Sequence, residues 1–230
     1  MKRTFPILGI LTAILLSYAL YQALVVAPTE QTMGDVQRIF YYHVPSAWTA
    51  FILFFVNFGA SIYYLIKRNP AADIVALVSA EVGVVFCTIV LVTGPIWARP
   101  VWGIWWTWDM RLTSTLVLWL IYVSYLFLRR FSAGGQTPAL AAALAVFGAL
   151  CVPFVYFSIW FFRTQHPQPV MGGGGSIDPR MMHVLLINWL AFSCFAFLVC
   201  WSRYRLEKLQ REVDEVHALE SLKDVPRSAR

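Results

Sequence analysis

The chain has 230 residues, of which 59% are hydrophobic and only 13% charged, and its mean hydropathy is +0.64. A soluble domain carries about 25% charged residues, so this deficit excludes an ordinary soluble fold and points to a polytopic membrane protein. The net charge of +6 would suggest nucleic acid in a soluble protein; basic residues collecting on cytoplasmic loops account for it here, and no nucleic-acid partner is expected.

A membrane-crossing helix needs roughly 20 mostly apolar residues, and six windows meet that length. The first, about Phe5–Val26, follows Lys2 and Arg3 as a signal peptide would. Its apolar stretch exceeds the ~7–15 residues of a signal h-region and no clear small-residue cleavage site follows, so it reads as a retained helix. Next comes "VQRIFYYHVPSAW", whose apolar and aromatic positions predict a short interfacial helix stopped by Pro45, with His43 just before the stop. The second window is about Ser46–Ile66 and the third Asp73–Trp97. Glu81 lies about eight residues into the third window, roughly 12 Å deep at 1.5 Å per residue.

The segment "WGIWWTWDMR" gathers four of the chain's 10 tryptophans, Trp102, Trp105, Trp106 and Trp108, and closes with Asp109 and Arg111. Pro95 and Pro100 are expected to bracket it. The fourth and fifth windows are about Leu112–Leu128 and Pro138–Phe162. "WFFRTQHPQPVMGGGGSIDPRMMH" follows, with His166 and His183 either side of a four-glycine hinge. The sixth window is about His183–Trp201. In the tail beyond it, Leu206, Leu209, Val213, Val216, Leu219 and Leu222 recur at three- and four-residue steps, the mark of an amphipathic helix. That helix lies on the membrane surface, packs on its own protein or docks a cytoplasmic partner.

Lys and Arg set the orientation. Lys2, Arg3, Lys67, Arg68, Arg129, Arg130 and the basic residues from Arg203 to Arg230 fall on one side; Arg38, Arg99, Arg111, Arg163 and Arg180 fall on the other. The expected fold is therefore all-α and integral to the membrane, with six transmembrane helices, both termini cytoplasmic and the tryptophan segment on the outer face. Residues 1–203 form the membrane domain, with outer loops at about 27–45, 98–111 and 163–182, and 204–230 form the tail.

The outer loops carry the chemistry. A headgroup belt of aromatics accounts for Trp48 or Trp97 at helix ends, but poorly for four tryptophans in one loop. Each indole can bury roughly 150–250 Å², enough together for a broad platform. Asp109 and Arg111 read as residues that cap and orient the next helix. Histidines on one membrane face, from segments far apart in sequence, are what axial haem ligation requires. Haem offers an apolar macrocycle for aromatics, two axial positions for imidazoles and anionic propionates for the five arginines. Zinc would want four close ligands. Cys87, Cys151, Cys194 and Cys200 sit in apolar runs without CxxC or CxxCH spacing and read as core residues. Glu81 keeps a second reading open. A carboxylate at membrane depth is a functional hypothesis by default, here a small-solute or proton-coupled transporter. Otherwise it is neutral, or paired with Asn57 or Asn188.

The run "LVTGPIWARPVWGIWWTWDMRLTS", Leu91 to Ser114, closely resembles the "WWD" signature of the haem-handling proteins of cytochrome c biogenesis. "QRIFYYHVPSAW" resembles the segment that carries their first outer haem-ligand histidine. The six-span length resembles the smaller branch used by system I, the haem exporter protein C family. The resemblance implies a protein of the bacterial inner membrane that holds haem b non-covalently at the periplasmic surface between two histidines. Trp102, Trp105, Trp106, Trp108, Asp109 and Arg111 would lie against the macrocycle. It further implies transfer to a membrane-anchored periplasmic haem chaperone, alongside an ATP-binding-cassette ATPase, its membrane subunit and a small one-span protein. By position, His43 takes the place of the first ligand. "WFFRTQHP" resembles the family's "WWNTLHQ" and selects His166 as the second, departing at Phe161, Arg163, Gln165 and Pro167; His183 is the fallback ligand. No Walker A pattern is present, so the chain is expected to be a handling subunit without its own ATPase.

Overall fold

Asn69 starts the third of the helical stretches long enough to cross a membrane. Its side chain accepts hydrogen bonds from the Ala71 and Ala72 N–H groups at 2.8 and 3.1 Å, and Pro70 occupies the first helical position, where a missing N–H costs nothing. The computed structural model describes residues 4–132, 136–169 and 177–223. Lys2, Arg3, the four-glycine hinge and the tail beyond Lys223 lie outside the described residues.

Within them the chain forms α1 (Thr4–Tyr21), continued by a π-helical turn at Gln22–Val26, and a 3₁₀ turn at Asp35–Ile39 leading into α2 (Phe40–Lys67). Then follow α3 (Pro70–Trp102), α4 (Met110–Phe131), α5 (Thr137–Ala149), α6 (Cys151–Phe161) and α7 (Pro179–Lys223). Six helical stretches are long and apolar enough to cross a membrane, with α5 and α6 together making one of them. Among the described residues, the all-helical class and the six helical stretches long and apolar enough to cross a membrane agree with expectation.

Several boundaries differ. Pro45 does not stop a short helix: α2 runs through it from Phe40 to Lys67. Pro45 is only the sixth residue of α2, so its missing N–H removes one early hydrogen bond, and its ring is fully buried. Pro95 and Pro100 likewise lie inside α3, which continues to Trp102 and closes at Gly103, in the left-handed region at φ 79°. The tryptophan segment is therefore split, with Trp102 ending a helix and Trp105, Trp106 and Trp108 in the turn beyond. The fifth crossing breaks at Leu150, three residues before Pro153, whose absent N–H would leave the Ala149 carbonyl unpaired in a continuous helix.

The core sits where α2, α3 and α4 converge. Phe54 of α2 stacks on Tyr122 of α4 with ring centroids 3.9 Å apart. Gly83 makes room on α3, since a Cβ there would come within 2.8 Å of the Phe54 ring. A second apolar cluster, including Ala23, Phe40, Tyr41, Trp97, Met181 and Leu185, ties the ends of α1 and α3 to the starts of α2 and α7. It braces the end of the bundle that carries the histidines.

The opposite end is held by charge. Asp73, at the start of α3, receives both terminal nitrogens of Arg129 at 2.5 and 2.8 Å and Arg211 at 2.8 Å. One helical stretch further along α3, Glu81 accepts two hydrogen bonds from Arg203 at 2.8 and 2.9 Å. Arg203, and neither asparagine, is thus the partner of Glu81. Asn57 donates to the Ala76 carbonyl at 2.7 Å, and Asn188 to Val184 and Ala19 at 2.9 and 3.3 Å. These pairs lock α7 against α3, and α7 runs unbroken through Arg203 to Lys223. The ionic side of its extension packs on its own protein, while Leu206, Leu209, Val213, Val216 and Leu219 are exposed.

Candidate functional site

His43 is the fourth residue of α2 and is buried. Its Nδ1 lies 2.8 Å from Thr93 Oγ1 on α3, and the Trp97 ring, one turn further on, meets it edge-on with centroids 5.9 Å apart. His166 comes from the segment after α6. Its Nδ1 is 2.8 Å from the Pro167 carbonyl, which only accepts, so Nδ1 carries the proton and Nε2 is free to bind a metal. Removal from water, then the Arg111 charge, lower its pKa to about 3, so this imidazole is neutral. The two ring centroids lie 6.3 Å apart with planes tilted by 36°.

Asp109 holds the segments together. Its Oδ1 caps α4 by accepting the Leu112 N–H at 2.9 Å, as expected of an acid at a helix start. Its Oδ2 accepts from Thr107 Oγ1 at 3.1 Å and from Thr164 Oγ1 at 2.9 Å. Thr164 in turn accepts the His166 backbone N–H at 3.1 Å.

A cavity of about 1040 Å³ opens between these groups. His43, His166, Trp102, Trp105, Trp106, Asp109 and Arg111 all line it. Trp108 does not. It is 76% exposed and meets Trp106 edge-on with centroids 5.8 Å apart. His183 is also exposed, on the first turns of α7, and is not among the lining residues. Trp48 and Trp97, read from sequence as belt residues, line the cavity instead, with Trp189 edge-on to Trp48 at 5.3 Å.

The arginines divide in the same way. Arg111 and Arg180 line the cavity, Arg180 paired with Asp178 at 2.9 Å. Arg38 is committed elsewhere: it donates to the Ala23 carbonyl at 2.9 Å and pairs with Asp35. Arg99 donates to the Gly103 carbonyl at the end of α3. Sequence reasoning also missed Thr93 and Thr164. The available signal for Thr93 was its four-residue spacing from Trp97, which puts both on one helix face. Thr164 offered none, because its role depends on a contact across the fold.

Two neighbouring imidazoles that both line an aromatic-walled cavity are the residue types that can grip one metal at the centre of a flat, apolar ligand. A family model described as "Heme exporter protein C" matches residues 1–219. The chain is 36% identical over 222 residues to Heme exporter protein C of Bradyrhizobium diazoefficiens, covering 95% of this chain and 84% of the relative. It is 32% identical over 206 residues to Heme exporter protein C of Escherichia coli K12, covering 89% and 82%. The Haemophilus influenzae protein of the same name is 30% identical over 217 residues, covering 90% and 85%. The chain belongs to the haem exporter protein C family.

Proposed function

We propose that this protein handles haem for cytochrome c maturation. In this reading it holds haem b non-covalently between His43 and His166 and presents it to a periplasmic haem chaperone. The observation that carries the reading is the 6.3 Å separation of the two imidazole centroids within the cavity. A metal–imidazole bond is about 2 Å and the bonded nitrogen lies about 1 Å from the ring centre, so rings on opposite sides of one iron are about 6 Å apart. Haem would supply an iron with two axial positions, an apolar macrocycle and two anionic propionates.

The protein's own groups do the rest. Trp97, Trp102, Trp105 and Trp106 offer apolar surface that would cover the macrocycle and limit the access of water to its iron. Arg111 and Arg180 are the cavity-lining cations suited to carboxylates. Neither histidine forms a covalent bond to the porphyrin, so the cargo can leave. Trp108 faces outward beside the cavity, where an arriving chaperone would meet it.

The distribution of Lys and Arg supports an orientation with the histidines on the periplasmic side of the bacterial inner membrane and both termini in the cytoplasm. ATP hydrolysis, in this reading, belongs to a neighbouring ATP-binding-cassette ATPase and its membrane subunit, assisted by a small one-span protein. Glu81 supports the transporter alternative poorly, because Arg203 holds its carboxylate and it does not line the large cavity.

The test is the haem spectrum of the purified protein. His43→Ala and His166→Ala should each remove the bis-imidazole absorbance; unchanged spectra in both would end the ligand assignment.

A further inference from the structure

We infer that Thr93 is the positioning residue that selects which nitrogen of His43 is free to bind iron. The inference rests on the reading of His43 as an axial ligand. Its starting point is the placement of one proton. Thr93 Oγ1 lies 2.7 Å from the Ile89 carbonyl oxygen, which cannot donate, so the hydroxyl hydrogen is committed to that bond. The same Oγ1 lies 2.8 Å from His43 Nδ1. With its hydrogen turned away, Thr93 can only accept there. His43 must therefore carry its proton on Nδ1 and leave Nε2 bare.

The surroundings hold that arrangement in place. Trp97 meets the ring edge-on, and a Cβ at Gly94 would come within 3.4 Å of His43 Cε1. Thr93, Gly94 and Trp97 thus frame the ring from successive turns of α3. His166 reaches the same state by another route, donating Nδ1–H to the Pro167 carbonyl. Each ring spends Nδ1 on an acceptor and leaves Nε2 bare. Only the Thr93 acceptor can be removed by changing a side chain. Such outer partners fix the tautomer and orientation of metal-binding histidines and raise their basicity.

The experiment uses the purified full-length protein with Thr93→Val, which keeps the branched shape and removes the hydroxyl, and Thr93→Ser, which keeps the hydroxyl. Ferric haem is titrated by Soret absorbance, and the reduction midpoint of the loaded protein is recorded. Thr93→Val should weaken binding about 10–100-fold and raise the midpoint, while Thr93→Ser stays close to the parent protein. Haem-free protein labelled with ¹⁵N-histidine gives a readout that needs no cargo: His43 should be Nδ1-protonated in the parent and Ser proteins and mixed in the Val protein. An Nε2-protonated His43 in the parent overturns the inference, as does a Val variant with unchanged affinity and midpoint. If Thr93→Val does not fold, the parent ¹⁵N spectrum still decides. His43→Ala keeps the two claims apart. Full haem binding in that variant defeats the ligand reading, whereas loss there with an unchanged Val variant defeats the Thr93 inference alone.

Discussion

Asp109 and His166 are joined through a single hydroxyl: Thr164 Oγ1 donates to the Asp109 carboxylate at 2.9 Å and accepts the His166 backbone N–H at 3.1 Å. One acid therefore starts α4 and sets the loop that carries a proposed iron ligand. Losing the cap alone costs about 1 kcal/mol. Asp109→Ala should show that loss in a melt and also lower haem occupancy. Asp109→Asn keeps the cap through its amide oxygen but turns a donor toward Thr107 and Thr164, whose hydroxyls must then accept from it instead of donating. It should melt close to the parent protein and still retain less haem. Full occupancy in Asp109→Ala would show that the loop holds itself.

The tryptophans of one short segment have separable jobs. Trp106 lines the cavity and Trp108 does not. Covering even part of an indole's roughly 150–250 Å² is worth about 1–2 kcal/mol, or about tenfold in affinity. Trp106→Ala should weaken haem binding by that factor. Trp108→Ala should leave haem affinity unchanged and slow transfer to the chaperone, read by chaperone-bound haem after mixing. Equal haem loss in both variants would mean the segment acts only as a unit.

His183 has the residue type of a ligand without the location. It is exposed on α7 and not among the cavity-lining residues. His183→Ala should keep the parent haem spectrum and occupancy, and a lost axial ligand in that variant would move the second ligand from His166 to α7.

The six crossings were legible because hydropathy acts over whole windows and survives errors at single residues. The helix ends were less legible, and for a consistent reason. Pro45, Pro95 and Pro100 look like local stops, yet each removes only one hydrogen bond, and packing of the surrounding helix outweighs it. The continuity of α7 past Trp201 was hidden too, since it depends on Arg203 meeting Glu81 and Arg211 meeting Asp73 across the fold. At the site, His43, His166 and Asp109 were singled out by residue type, and they do come together. Direction was not encoded locally: nothing in "WWTWD" says that Trp106 turns inward and Trp108 outward. Trp48 and Trp97 have the positions of belt residues, and only the bundle's geometry turns them toward the cavity.

The charged end of the bundle should respond to mutation in proportion to its burial. The Asp73 side chain is 4% exposed and serves two arginines, whereas the Glu81 and Arg203 side chains are 30% and 35% exposed. Removing one member of a buried pair strands the others and costs about 3 kcal/mol or more; an exposed pair is worth under about 1 kcal/mol. Asp73→Ala should therefore lower the melting temperature strongly, and Glu81→Gln only slightly. Both should leave haem occupancy of the folded protein unchanged, because Asp73 and Glu81 belong to the far end of α3 from His43. The decisive arm is Glu81→Gln measured in cells. Normal cytochrome c maturation is expected, and its abolition at unaltered protein level would mean that the work is done at Glu81 and not between the two histidines.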